Sequence, residues 1–202
     1  MSPATPAPCC KKEGKRMIHL TAPFSKEDLL KLHAGDHVLV SGVIYTARDA
    51  AHGRMCAALD AGEALPVDLR GQAVYYAGPT PTPPGKPCGA IGPTTSVRMD
   101  PYTPQMLRYG VNALIGKGGR SQAVRDALKE TGSVYFAAIG GCAAYMAACV
   151  EELTVMAYDD LGPESIKRLV IRDMPLTVAI DAYGCDAYEM GMQTYLSECQ
   201  NG

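Results

Sequence analysis

The 202-residue sequence lacks a charge excess of either sign. It contains 19 lysines and arginines against 21 aspartates and glutamates, which gives a formal net charge of −2 at pH 7. The basic residues are scattered rather than arranged along one face, so the chain has no electrostatic footprint for nucleic acid. We therefore expect no nucleic-acid partner.

The sequence also lacks the apolar stretch of a secretory signal peptide. Residues 1–16 contain prolines and a basic cluster instead, and they predict a flexible N-terminal leader. Without an export signal, the eight cysteines favour reduced thiols in the cytoplasm over a disulfide framework. The remaining length, residues 17–202, predicts a single domain.

Several catalytic and metal-binding motifs are missing. The sequence has no C-x-x-C pair and no cysteine and histidine cluster of the zinc-finger type. It has no Gly-x-Ser-x-Gly nucleophile elbow, and Gly116-Lys-Gly-Gly119 lacks the spacing of a nucleotide-binding P-loop. These absences argue against a metal site within the chain, a serine hydrolase and a nucleotide-binding protein.

An unbroken apolar run that could cross a membrane is missing as well. Residues 134–150 are all apolar or small, but Gly140 and Gly141 interrupt them, and the segment is at the lower limit of a membrane span. The pattern instead predicts a buried strand over 133–139, a glycine turn and a small-residue helix over 143–150. We expect no membrane association.

What the sequence does contain is a repeated alternation of strand and helix patterns. Ser25 is a predicted N-cap of a helix that ends at Gly35, and Gly42 is a predicted bulge in a strand over 37–46. The other predicted strands cover 73–77, 113–115, 134–139, 153–157, 169–172 and 177–181. The other predicted helices cover 49–60, 104–109, 121–130, 143–150, 163–167 and 186–196. This alternation predicts an α/β domain of two or three layers with a partly parallel sheet.

Cationic and hydroxyl side chains lie between these elements. Arg48 follows a predicted strand and precedes a helix, where open α/β sheets bind ligands, although it could instead pair with Asp49 or Asp60 at the surface. Thr94 and Arg98 follow a Pro- and Gly-rich loop over 78–93, and both can reach one ligand if their segment curls. The alternative is that the Thr94 hydroxyl only closes a local turn.

Three further residues belong to this group. Lys117 lies between glycines, and Asp49 favours the positive end of the predicted helix over 49–60. His52, one turn after Arg48, either orients the partner of that arginine or packs. Because arginine binds a carboxylate through two parallel charge-assisted hydrogen bonds, these side chains suit a small dicarboxylate.

Six motifs in sequence resemble the beta subunit, or C-terminal half, of the class I iron-sulfur fumarases and the related tartrate dehydratases. They extend over a match from about Met17 to Tyr195, and several motifs in the right order are more specific than any one alone. The motifs are Ala34-Gly-Asp36, Tyr45-Thr-Ala-Arg-Asp-Ala-Ala-His52, Tyr75-Tyr-Ala-Gly-Pro79, Gly92-Pro-Thr-Thr-Ser-Val-Arg-Met-Asp100, Gly116-Lys-Gly-Gly119 and Asp159-Asp-Leu-Gly-Pro163.

The resemblance implies a swivelling β/β/α three-layer domain, with a mixed and partly parallel sheet, that docks on an alpha subunit. In the family, three cysteines of that partner hold a four-iron four-sulfur cluster with one open iron, and the beta subunit alone binds none. A homo- or hetero-oligomeric assembly is expected. The missing metal ligands of this chain agree with such a partner.

The resemblance also implies roles for individual residues. Arg48, Arg98 and Lys117 would bind the substrate carboxylates, and Thr94 would take the position of the catalytic base. Asp49 and His52 are candidate supporting residues.

The expected activity is that of a hydro-lyase, the reversible hydration of fumarate to malate, and the chain is expected to be inactive without the alpha subunit. Two alternatives stay open. One is the beta subunit of an L-tartrate dehydratase, which converts tartrate to oxaloacetate. The other is a non-catalytic module that binds a small acid or assembles with a partner.

Overall fold

The computed structural model describes residues 17–200 of the chain. The predicted leader, residues 1–16, lies outside the described residues. The strands are β1 (Ile18–Ala22), β2 (His37–Thr46), β3 (Ala73–Tyr75), β4 (Ala113–Gly116), β5 (Val134–Ala137), β6 (Val150–Ala157) and β7 (Ile166–Ile180). The helices are α1 (Lys26–Leu30), α2 (Asp49–Asp60), α3 (Thr103–Tyr109), α4 (Gln122–Thr131), α5 (Ala143–Ala148) and α6 (Ala187–Gln200). Two shorter segments are the first 3-10 turn (Ser96–Met99) and the second 3-10 turn (Asp159–Glu164).

These strands form one mixed sheet. Neighbouring strands from β1 to β5 are parallel, whereas β7 is antiparallel to β2, β5 and β6. Because β7 pairs with both β2 and β5, the strands β2, β3, β4, β5 and β7 close into a barrel-like ring. The predicted α/β class with a mixed, partly parallel sheet is confirmed.

Strand β2 has the predicted bounds and the predicted bulge. Its pairing with β7 shifts register between Val40 and Gly42. Gly42 has a φ of 105°, and a Cβ atom there would collide with the carbonyl oxygen of Ala22 in β1. Only glycine therefore allows β1 to approach β2 at this point.

The alternation of side chains along the strands divides the core into two clusters. Tyr75 and Phe136 belong to the cluster inside the ring. Their neighbours Val74 and Tyr135 belong to the other cluster, which also contains the buried residues of α2, α3 and α4. These three helices therefore cover the outer face of the parallel strands and leave the carboxyl ends of the strands to the loops.

The predictions for residues 163–181 were wrong in two respects. Residues 163–167 are not a separate helix, because the second 3-10 turn, kinked at Gly162 with φ 56° and ψ −116°, ends at Glu164 and β7 begins at Ile166. The two strands predicted at 169–172 and 177–181 are the single strand β7. Asp173 adopts a positive φ of 49° opposite the bulge of β2, so this turn-like segment kinks the strand without ending it.

One other local prediction, the end of α1, needs correction, and the prediction for residues 134–150 is confirmed. Helix α1 ends at Leu30 rather than continuing to Gly35, although Ser25 caps it as predicted, with its Oγ accepting a hydrogen bond from the Asp28 N–H at 3.1 Å. The apolar segment 134–150 forms β5, a glycine turn and α5. Within residues 17–200 no helix is long and apolar enough to span a bilayer.

Candidate active site at the carboxyl edge of the parallel strands

The predicted site residues meet at one edge of the sheet, where the parallel strands end. Arg48 comes two residues after β2, and Lys117 comes directly after β4. The segment that carries Thr94 joins the same edge, because the Thr94 N–H donates to the carbonyl oxygen of Tyr76 at 2.7 Å, just after β3. Arg98 follows in the first 3-10 turn. The structure therefore brings all four residues to one edge, as open α/β sheets do for their ligand-binding groups.

Asp49 links the two arginines. Its Oδ1 atom lies 2.9 Å from Arg98 Nε, in an ion pair, and its Oδ2 atom lies 3.8 Å from Arg48 Nη2. Asp49 is the first residue of α2, where a carboxylate also interacts favourably with the helix dipole. Among the described residues Arg98 has no partner besides Asp49, so its two terminal nitrogens are available to a ligand.

Glu164 is a second carboxylate next to Arg48, and sequence reasoning missed it. Its Oε1 atom lies 3.3 Å from Arg48 Nη2, and its Oε2 atom accepts a hydrogen bond from the Ala50 N–H at 3.0 Å. The only signal was its position, directly after the motif that ends at Pro163. Of the two surface partners considered for Arg48, Asp49 lies within ion-pair distance, whereas Asp60 accepts a hydrogen bond from Gln105 at its Oδ1 atom instead. The Arg48 side chain is mostly buried rather than exposed, with 21% of its surface accessible.

A glycine makes room for the Arg48 side chain. A Cβ atom at Gly78 would lie 3.3 Å from both Cδ and Nη1 of Arg48 and 2.8 Å from the carbonyl oxygen of Pro163. The loop after β3 therefore packs closely against the guanidinium, and the Nε atom of Arg48 is buried without a hydrogen-bond partner. A larger residue at position 78 would displace either the arginine or the second 3-10 turn.

Ser96 connects the Thr94 segment to the Lys117 loop. Its N–H donates to the Lys117 carbonyl at 3.1 Å, and its Oγ accepts a hydrogen bond from the Lys117 N–H at 2.9 Å. The Tyr135 hydroxyl lies 3.0 Å from the same Oγ and 2.9 Å from the carbonyl oxygen of Gly118. These contacts fix the positions of Thr94 and Lys117 relative to each other through the backbone.

The functional groups of Thr94 and Lys117 remain free. Within residues 17–200, neither the Thr94 hydroxyl nor the Lys117 ammonium has a hydrogen-bond or ion-pair partner, so the Thr94 hydroxyl does not close a local turn. Lys117 Nζ lies near the glycine turn after β5, 4.0 Å from where a Cβ of Gly140 would be. A small anion at this edge would meet both groups unpaired.

A buried ion pair, which the sequence analysis did not predict, connects the first 3-10 turn to the Lys117 loop on the side of the core. Arg120 Nε donates to Asp100 Oδ1 at 2.7 Å, and the Ser121 N–H donates to Asp100 Oδ2 at 2.6 Å. The Arg120 guanidinium also lies over the rings of Tyr76 and Tyr135, at 5.3 and 5.0 Å from their centroids. The pair ties the end of the first 3-10 turn to the Lys117 loop.

His52 is buried under the site and has a packing role. Its Nδ1 atom lies 2.9 Å from the carbonyl oxygen of Arg48, which can only accept, so Nδ1 carries the proton. Burial, together with the nearby charge of Arg120, lowers the pKa of His52 to about 4. The ring packs edge-on against Tyr76. Of the two predicted roles, packing is confirmed, and the contact with Arg48 is to its backbone rather than to its ion-pair partner.

No metal site accompanies these residues in the part of the chain described. Residues 17–200 contain no group of three or more histidine, cysteine, aspartate or glutamate residues that could hold a metal ion. Two surface cavities, of about 190 and 340 Å³, are lined by other residues than the four site residues. The candidate site lies outside both cavities, at the loops of the sheet edge.

Comparison with known proteins relates this chain to fumarate hydratases. A sequence model of the fumarase C-terminus family matches residues 3–191. The chain is 37% identical over 193 residues to the aerobic class I fumarate hydratase of Escherichia coli K12, a match that covers 93% of this chain and 35% of that protein. It is 35% identical over 175 residues to fumarate hydratase 2 of Leishmania major, covering 85% of this chain and 31% of that protein.

A third relative is nearly as short as this chain. It is a Methanocaldococcus jannaschii protein provisionally named L(+)-tartrate dehydratase subunit beta, 39% identical over 172 residues, and the match covers 82% of this chain and 88% of the relative. The chain thus spans about a third of the length of the fumarate hydratases that it matches and most of the length of this subunit. With the family match extending over almost its whole length, the chain belongs to the fumarase C-terminus family.

Proposed function

We propose that this chain is the beta subunit of a class I hydro-lyase that adds water reversibly to fumarate to give malate. The observation that carries the proposal is the meeting of Arg48, Arg98 and Lys117 at one sheet edge, beside the free hydroxyl of Thr94. A dicarboxylate needs a cation at each end, and arginine provides two parallel charge-assisted hydrogen bonds to a carboxylate. The names of the fumarate hydratase relatives support the same class of reaction.

In this proposal the cations also stabilise the charge that develops during the reaction. Removing the proton next to a carboxylate builds a dianionic aci-carboxylate, and fixed positive charges aimed at it lower the barrier. We assign the proton abstraction to the alkoxide form of Thr94, which becomes the neutral hydroxyl when it takes the proton. Because threonine is a poor base at its ordinary pKa, the alkoxide needs a nearby cation. Lys117 is the candidate, since the backbone hydrogen bonds of Ser96 connect its loop to the segment that carries Thr94.

The four-iron four-sulfur cluster of the family does not fit the residues of this chain that the structure describes, which contain no suitable ligand group. We therefore assign the cluster to an alpha subunit or to a further part of the same assembly, and we derive no step of the reaction through it. The length of the fumarate hydratase relatives, about three times the matched region, supports such a partner.

We also propose that residues 17–202 act as one swivelling domain of the β/β/α type within a cytoplasmic homo- or hetero-oligomer. The closed ring with α2, α3 and α4 on its outer face supports the layered arrangement. In this arrangement the site faces the partner along the edge where the parallel strands end.

Co-expression with a candidate alpha subunit and anaerobic purification test this function. We expect the complex to interconvert fumarate and malate, and each subunit alone to be inactive. A complex with an intact cluster that turns over no dicarboxylate would show that the assignment is wrong and would favour a non-catalytic acid-binding module. Activity of the isolated chain would contradict both proposals.

The second candidate function is tartrate dehydration, because the relative of similar length carries that name. The same complex decides between the two when its kcat/KM for malate is compared with its kcat/KM for L-tartrate. The proposal expects malate to be the better substrate.

A further inference from the structure

The second 3-10 turn is fastened to the start of helix α2 at several points. Arg54, in the second turn of α2, forms a bidentate ion pair with Asp160, and its guanidinium lies 5.3 Å from the ring centroid of Tyr158. On the other side, the buried ammonium of Lys167 donates to the Gly162 carbonyl at 2.7 Å and to Ser165 Oγ. Glu164 therefore projects from a segment whose backbone is held on both sides.

Glu164 uses its two carboxylate oxygens for two different partners. One oxygen accepts a hydrogen bond from the Ala50 N–H, and the other lies 3.3 Å from Arg48 Nη2. The corresponding distance from Arg48 Nη2 to Asp49 is longer, 3.8 Å, and Asp49 is committed to Arg98 through its other oxygen. Glu164 is thus the nearer of the two carboxylates that orient Arg48.

We propose that Glu164 is a positioning residue for Arg48, which holds the guanidinium at the sheet edge in the orientation that receives a substrate carboxylate. This inference rests on the proposed function of Arg48 in binding the dicarboxylate. The guanidinium needs such a constraint because its Nε has no hydrogen-bond partner, its distance to Asp49 is 3.8 Å, and its close approach to Gly78 is packing alone. Pre-organising a side chain in its binding geometry raises affinity because less freedom is lost on binding.

The substitution Glu164→Gln tests the proposal with little change of shape. The amide oxygen of glutamine can still accept the hydrogen bond from Ala50, whereas the charge that orients Arg48 is lost. In the complex with the alpha subunit we expect the KM for malate to rise about tenfold and kcat to change less than threefold, since Arg48 keeps its charge and loses only the pre-organised orientation in which it binds the carboxylate. A KM within twofold of the wild-type value would overturn the proposal.

The matched control is Asp160→Asn, which removes a carboxylate from the same turn without touching Arg48. This variant loses the ion pair with Arg54, and we expect its KM and kcat to equal those of the wild-type complex. An equal rise of KM in both variants would mean that the turn merely loosens, and it would overturn a specific role of Glu164.

A second measurement does not depend on turnover. In the nitrogen-15 spectrum of arginine side chains of the full chain, Glu164→Gln should shift and broaden the Arg48 Nε signal, and Asp160→Asn should leave it in place. If the wild-type complex is inactive on malate and tartrate, the proposed function fails. The role of Glu164 is then decided by the Arg48 signal and by the affinity of the chain for malonate, which is measured in place of KM. An unmoved Arg48 signal in Glu164→Gln would overturn it.

Discussion

Two arginine–aspartate pairs meet at the first 3-10 turn, and they differ far more in exposure than in length. Arg98 Nε lies 2.9 Å from Asp49 Oδ1, and Arg120 Nε lies 2.7 Å from Asp100 Oδ1. The Arg98 side chain is 51% exposed, whereas that of Arg120 is 0% exposed. The length of the ion pair therefore does not separate the exposed arginine from the buried one.

The accessibility of the remaining donors makes that distinction, because Nη1 of Arg120 also has no hydrogen-bond partner but is buried. Arg120 gives a second hydrogen bond to Thr103 Oγ1 at 2.8 Å, and two tyrosine rings cover its guanidinium. Among the described residues Arg98 has only Asp49, so most of its hydrogen-bonding capacity faces outward. Arg120 holds the loops together, whereas Arg98 keeps its terminal nitrogens accessible, as the proposed binding of a substrate carboxylate requires.

The largest expected effect is on the buried pair. We expect Arg120→Met to lower the free energy of unfolding by about 3–5 kcal/mol, because Asp100 is left buried without its counter-charge. Urea unfolding of the chain measures this loss. The double variant Arg120→Met/Asp100→Leu removes both charges and should recover much of the stability. A loss below about 1 kcal/mol in the single variant would contradict the anchoring role of Arg120.

The next effect is a pH dependence of stability that comes from His52. One residue of each ion pair, Arg120 or Asp49, influences the pKa of this histidine. The charge of Arg120 lowers the pKa of His52 and that of Asp49 raises it, while burial brings it to about 4. The unfolded chain binds this proton near pH 6.5, so between about pH 6.5 and 4 it carries more protons than the folded chain. The free energy of unfolding should therefore decrease as the pH drops through that window, by about 1.4 kcal/mol per pH unit at most and by roughly 3 kcal/mol in total.

Unfolding by urea at pH 7, 6, 5 and 4.5 checks the His52 prediction. His52→Asn, whose amide can still donate to the Arg48 carbonyl, should show a correspondingly shallower loss of stability with acid. Equal pH dependence of the two proteins would mean that His52 titrates alike in the folded and unfolded chain.

The exposed pair is expected to matter for activity rather than for stability. Arg98→Ala should lower kcat/KM of the complex by roughly 30- to 100-fold, about 2–3 kcal/mol, because a charged bidentate contact with substrate is lost. Its free energy of unfolding should stay within about 0.5 kcal/mol of the wild-type value, since the side chain is largely exposed. Arg98→Lys, which keeps the charge but not the planar fork, should recover only part of the activity. Wild-type kinetics in Arg98→Ala would remove this residue from the site.

The sequence was informative where a signal is local. The bounds of β2 and α2 follow from a run of β-branched residues and from an acidic first turn, and both were predicted correctly. The location of Arg48 between them followed directly. Thr94, Arg98 and Lys117 were found as loop residues and through the family motifs, and their roles stay predictions.

What the sequence could not predict depends on contacts between distant segments. The pairs Arg120–Asp100 and Arg48–Glu164 join loops that only the sheet brings together, and no spacing marks them. The closure of the ring by β7 likewise depends on pairing with both β2 and β5. The two short strands predicted on either side of Asp173 are one strand, because tertiary pairing continues it through this position.

The smallest expected effect concerns Asp49, the carboxylate that the two site arginines share. Asp49→Asn keeps the shape of the side chain but weakens its hold on Arg98, so we expect about a fivefold loss of kcat/KM, about 1 kcal/mol. The loss of a negative charge at the start of α2 should cost about 0.5–1 kcal/mol of unfolding free energy. Steady-state kinetics of the complex and urea unfolding of the chain measure the two effects.

The control for Asp49 lies at the other end of the same helix. Asp60 ends α2 and contacts Gln105 rather than an arginine, so Asp60→Asn should leave kcat/KM unchanged. Wild-type kinetics in Asp49→Asn would show that Arg98 needs no carboxylate to hold it. A loss as large as that of Arg98→Ala would show instead that Asp49 contacts the substrate itself. An intermediate loss would show that Asp49 positions Arg98, as Thr103 and the rings of Tyr76 and Tyr135 position Arg120.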